Sequence, residues 1–135
     1  MSYKDLKGIE AITSDLIFAV LTVNNWTLEK CHAIYEGLKE QEFFDFTTLR
    51  KQETTVIFAR LEKAGYIRAD FHIGLLAGRV LSLANALEEE DLIELERLEV
   101  EGEVSEIEAK LLPIKGVGPI VVSNYLRLRQ VEKNA

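Results

Sequence analysis

Apolar residues recur along this chain at the spacing of one helix face, and no stretch alternates with strand period for long enough to compete. The pattern predicts an all-α fold. Leu16, Ile17, Ala19, Val20, Leu21 and Val23 predict a first helix buried nearly all round and ended by Asn24 and Asn25. Thr27 is placed to cap a second helix through about Leu38, with Cys31, Ile34, Tyr35 and Leu38 along one face. A short element follows near Phe46 to Arg50. Val56, Ile57, Ala59, Arg60 and Leu61 carry another helix, which Gly65 closes as a left-handed cap.

The longest helix is predicted from about Ala69 to Leu87, burying Leu76, Val80, Leu83 and Leu87 and occupying the centre of the fold. Gly74, Ala77 and Gly78 would let a neighbouring helix approach it closely. Leu92, Leu95 and Leu98 mark an acidic amphipathic helix. Ser105 and Glu108 have capping-box spacing for a further helix. The last predicted helix runs from Pro119 toward Arg129. No internal repeat, low-complexity tract or linker interrupts the pattern, so residues 1–135 are expected to form a single helical domain.

Charge changes the picture because it is segregated. The net charge is −7, yet residues 1–87 are nearly balanced, residues 88–108 hold 11 acids against Arg97, and residues 109–135 hold five basic residues against one acid. An acidic segment facing a polyanion would repel it, so residues 88–108 are expected to face away from any nucleic acid. A lone Cys31 excludes an internal disulfide and a thiolate-ligated zinc or iron–sulfur site. His32 and His72 are read as helix-surface residues with no assigned role. No apolar run approaches the roughly 20 residues that span a bilayer, and the first residues lack a signal peptide's apolar stretch. A cytoplasmic address and no membrane partner are the expectation.

The most informative stretch is Leu111 to Arg127, which reads as helix, hairpin, helix over about residues 105–130. Gly116 and Gly118 flank apolar Val117, so the turn is free to adopt positive φ and present backbone N–H groups at the start of the next helix. Pro119 suits the first helical position, where its missing N–H matters little. Unsatisfied first-turn donors and the helix macrodipole make such a turn an anion site.

Lys115-Gly116-Val117-Gly118 with Ser123-Asn124-Tyr125-Leu126-Arg127 resembles the helix-hairpin-helix of the base-excision DNA glycosylase superfamily. By pattern it is nearest to the endonuclease III and archaeal 8-oxoguanine DNA glycosylase-like members. The resemblance extends back through Gly65-Tyr66-Ile67-Arg68 to the stretch from Asp15 to Asn25, in the family's order and over almost the whole chain. It implies the compact multi-helix barrel of the HhH-GPD DNA glycosylase type, gripping a DNA backbone through Gly116, Val117 and Gly118, with Asn25 at the position of a wedge beside an extruded base. It also implies that hairpin carbonyls can hold Na+ or K+; no other cofactor is expected.

The departures bear on catalysis. Where bifunctional members carry a Schiff-base lysine, two residues after the second hairpin glycine, this chain has Ile120. No Asp follows Asp91, so the family's catalytic carboxylate has no counterpart, and the family's second lobe is missing too. The resemblance therefore implies a DNA-binding protein without the family's catalytic groups, and no catalytic residue is assigned. Two alternatives stand beside it: an active glycosylase completed by a homodimer or partner chain, and a protein-interaction module using the acidic helix.

Each candidate contact has an ordinary reading as well. Lys115 is a phosphate partner or a solvated turn lysine, and Asn25 a wedge or a helix C-terminal cap. Trp26 is a stacking platform or an interhelical core residue. Arg68 is a phosphate contact or one end of a surface salt bridge. A positive ridge joining Lys115, Arg68 and Arg127 would favour double-stranded DNA bound without sequence preference.

Overall fold

The computed structural model describes residues 8–23 and 27–131. Among them the chain forms α1 (Gly8–Leu21), α2 (Leu28–Glu40), α3 (Phe46–Leu49), α4 (Thr54–Ala64), α5 (Asp70–Ala86), α6 (Glu89–Glu101), α7 (Val104–Leu111) and α8 (Pro119–Leu128), with no strand. The all-α expectation holds, and no helix is long and apolar enough to cross a membrane. Thr27 caps α2 by accepting the Lys30 amide at 3.3 Å, and Gly65 ends α4 with φ +101°, a conformation other residues adopt only with strain.

The most completely buried helix is α1, while α5, expected at the centre, packs against α1, α3 and α4. Ile12 through Leu21 are buried without interruption, and α1 packs against α5, α6 and α8. By contrast α5 buries Ile73, Leu76, Ala77, Val80, Leu83 and Ala84 and leaves Phe71 and Leu75 exposed. The physical difference lies in how much is covered: α1 is apolar around its whole circumference through its second half and is buried there throughout, while α5 leaves apolar residues on its outer face exposed.

Close helix approach also occurs elsewhere than expected. A Cβ on Gly37 would lie 3.1 Å from the Ala64 Cα, so the α2–α4 crossing depends on glycine there. At Gly78 a Cβ would meet nothing within 4 Å, and at Gly74 it would meet the Phe58 ring of α4 at 3.9 Å, an ordinary contact. The N-cap of α7 is Glu103, which places Ser105 inside the helix rather than at its start. The capping box belongs to α6, where the Asp91 side chain accepts the Glu88 amide at 2.9 Å and the Glu88 side chain reciprocates.

Two arginines fasten helix ends. Arg50 donates to the Ala84 and Leu87 carbonyls, both at 2.9 Å, and pairs with Glu88 at 2.9 Å, closing α5 and joining it to α6. Arg60 of α4 donates to both the side chain and the backbone of Gln41 and to the Gln52 side chain, holding the end of α2.

A third arginine fixes α8, and with it the hairpin, against the core. Arg129 donates to Asp15 of α1 at 2.9 Å and to Glu99 of α6 at 2.7 Å, while the Tyr125 hydroxyl donates to Glu99 at 3.2 Å. Burial pushes both carboxyls above their ordinary range despite the guanidinium. Burial alone would lower Arg129, but its hydrogen bonds to Glu99 and Asp15 outweigh that and hold it charged. Removing the cation would leave two carboxylates, with side chains only 11% and 9% exposed, facing each other without a counter-charge.

Arg129→Ala is expected to lower unfolding free energy by about 3 kcal/mol at pH 7, the low end for breaking a buried pair because Arg129 remains partly solvated. A carboxyl with a raised folded-state pKa contributes stability below its unfolded pKa and loses it as pH rises through the folded value. The deficit of Arg129→Ala should therefore shrink between pH 7 and pH 5, as read from urea-unfolding midpoints at the two pH values.

Candidate functional site

The three segments that carry the glycosylase resemblance meet at the C-terminal end of α1. A helix leaves its last carbonyls without intrahelical donors, and a buried helix end needs them from elsewhere. The Tyr66 hydroxyl donates to the Leu21 carbonyl at 3.2 Å and Arg68 donates to the Val23 carbonyl at 3.1 Å. From α8, the Asn124 amide donates to the Ala19 carbonyl and to the Thr22 hydroxyl, both at 3.3 Å, and Thr22 donates to the Phe18 carbonyl at 2.8 Å. Tyr66 and Tyr125 are fully buried by these arrangements, and burial pushes their hydroxyl pKa values up.

The hairpin is thereby set beside the same helix end. After α7, Ile114 and Val117 turn inward, 9% and 6% exposed, while Lys115 faces solvent. Gly116 takes φ +87° and the stem of Arg79, from α5, lies across it: a Cβ there would be 2.7 Å from the Arg79 Cγ. Gly118 does not share this conformation. It is the N-cap of α8 at φ −105°, with nothing within 4 Å of a Cβ, so only the first hairpin glycine meets the expected positive φ.

Within residues 116–121 the Val117 amide is occupied, donating to the Ile114 carbonyl at 3.0 Å. The amides of Gly116, Gly118, Ile120 and Val121 find no acceptor among the described residues, and no side chain caps α8. They border a shallow cavity of about 520 Å³ lined by Val23, Arg79 and residues 116–121. Arg79 is the one charged side chain in that lining among the described residues, and it has no hydrogen bond or ion pair there to occupy its guanidinium. Unsatisfied donors at the positive end of a helix, with a cation beside them, favour an anion.

The candidate residues are thus only partly assembled. Gly116, Val117, Gly118 and Lys115 form the turn, and Arg68 reaches the same end of α1, but its guanidinium is engaged with the Val23 carbonyl and, at 3.3 Å, the Tyr66 hydroxyl. Asn25 and Trp26 lie outside the described residues. Arg127 does not join the ridge drawn for it; it lines a separate groove with Val104, Glu108 and Val122 on the α7–α8 side. Ile120, at the position of the family's lysine, is 69% exposed on the cavity wall. None of residues 88–108 lines the cavity, and among the described residues no three His, Cys, Asp or Glu side chains are placed to hold a metal ion.

Arg79 was missed by the sequence reading. Its place follows from how α5 crosses the hairpin, and a single arginine on a long helix carries no local mark of that. Comparison with protein-family models, with curated proteins and with solved structures found no match for this chain.

The two hairpin glycines should respond differently to substitution. Gly116→Ala forces a positive φ on alanine and a clash with Arg79, which is expected to cost about 1–3 kcal/mol. Gly118→Ala changes an N-cap in a conformation open to any residue and should cost less than about 1 kcal/mol. Thermal or urea unfolding of the two variants checks the difference.

Proposed function

We propose that this chain is a DNA-binding protein related to base-excision DNA glycosylases, capturing backbone phosphate without sequence preference and without the family's catalytic chemistry. The observation that carries the reading is the group of open amides at Gly116, Gly118, Ile120 and Val121 beside the unpaired Arg79. Phosphate oxygens accept hydrogen bonds from such donors, and contacts to the sugar–phosphate backbone position a duplex without reading its bases. Lys115, exposed at the tip of the turn, adds a cation on the approach to the amides.

Charge does not oppose this reading once its location is considered. Of the acids in residues 88–108, Asp91 is paired with Lys110 at 2.8 Å, Glu99 with Arg129, and Glu94 and Glu101 with Arg97. The hairpin cavity is lined by Arg79, its one charged side chain among the described residues, together with the hairpin backbone and apolar Val23, Ile120 and Val121. The reading leaves out catalysis because Ile120, at the position of the family's lysine, offers no amine to attack a sugar carbon.

Gly118→Glu gives the direct test, since its side chain meets no steric obstacle and places a carboxylate at the amides. The variant should remain folded by circular dichroism and bind a labelled duplex at least roughly tenfold more weakly by fluorescence anisotropy. Lys115→Ala should lower the slope of log affinity against log salt by about 1. Unchanged affinity in folded Gly118→Glu would remove the hairpin from the interface.

A further inference from the structure

The outer face of α5 is apolar where a water-facing helix is ordinarily polar. Phe71 and Leu75, four residues apart, are 76% and 40% exposed, and Ile67, in the turn before the helix, is 84% exposed. Beside them lie Gly74 and Gly78; glycine weakens a helix interior, yet Gly78 meets nothing that would require it. The result is a flat strip with one large aromatic ring and room for a planar group to lie close to the backbone.

Its surroundings indicate what covers it. The strip leads along α5 to Arg79, whose stem rests on Gly116, so it is continuous with the open hairpin amides. Arg68 and Arg79 lie on the side toward the end of α1, and Lys115 stands beyond them; Asp70, at the first position of α5, is the acid nearest in sequence. A second copy docked through the same patch would bring these cations toward their own equivalents. An anionic polymer with flat apolar groups suits both the charge and the shape.

Resting on the DNA reading above, we propose that this strip receives unstacked bases. A strand whose phosphate is held at the hairpin would lay unpaired bases on Leu75 and Phe71, about 6 and 12 Å along the helix from Arg79, a span of a few nucleotides. Intact duplex keeps its base faces stacked and has none to offer the ring, so the substrate class is DNA containing unpaired bases.

Anisotropy titrations of three labelled oligonucleotides test this: an intact duplex, the same duplex with a central unpaired stretch, and the single strand. The unmodified chain should bind the two DNAs with unpaired bases about tenfold more tightly than intact duplex, and 2-aminopurine in the unpaired stretch should be quenched on binding. Phe71→Ser, exposed enough to leave folding intact, should lose most of that preference and the quenching while duplex affinity stays unchanged. Equal affinity for all three DNAs, or a Phe71→Ser variant that keeps the preference, overturns the proposal while leaving the hairpin reading in place. Loss of duplex binding in Gly118→Glu supports the hairpin reading separately, whereas binding to none of the DNAs overturns both. A dimer in sedimentation velocity that Phe71→Ser abolishes would assign the strip to a protein interface and overturn the base-stacking proposal.

Discussion

A helix buried around its whole circumference cannot leave its terminal carbonyls to water. In α1 the carbonyls of Phe18, Ala19, Leu21 and Val23 are met by Thr22, Asn124, Tyr66 and Arg68, three of which come from elements distant in sequence. Satisfying those groups brings the turn after α4 and the first half of α8 to one place. The open hairpin amides lie at that place because α8 is fastened there, with its first turn left free. The core therefore aims the candidate site: hydrogen bonds consumed at the end of one helix determine where those of another remain available.

The second constraint is electrostatic. Asp15, Glu99 and Arg129 form a buried group in which each carboxylate is tolerable only because the guanidinium is present. A chain with net charge −7 would be expected to repel a polyanion, but its excess acid is concentrated in residues 88–108, none of which lines the hairpin cavity. Asp91 serves a helix start and Lys110, and Glu99 serves Arg129. Charges are felt within roughly one Debye length, about 8 Å at physiological salt, and the one charged side chain lining the cavity among the described residues is Arg79.

Much of the helical pattern was legible because it is local. Thr27, Gly65 and Pro119 mark boundaries through their own backbone preferences, and each stands where its chemistry requires. That α1 is more deeply buried than α5 was not legible for a different reason: length and apolar spacing say how wide a helix's apolar face is, but not how much of it its neighbours cover. Ser105 failed because spacing alone does not separate a cap from a first-turn residue when an acid two positions earlier takes the role. At the site, the turn and its glycines were visible, whereas Arg79 and the acceptance by Leu21 of the Tyr66 hydroxyl depend on contacts between segments far apart in sequence. Only a fold brings those together.

The joining of Asp15 to Arg129 across 114 positions has a consequence during synthesis. At roughly 5–20 residues per second, α1 leaves the ribosome about 6–20 s before the helix that will cover it. Throughout that interval the apolar stretch from Leu16 to Leu21 has only the intermediate helices for shelter. Order in the core is thus completed only when the last helix docks, long after the segment it covers has been made.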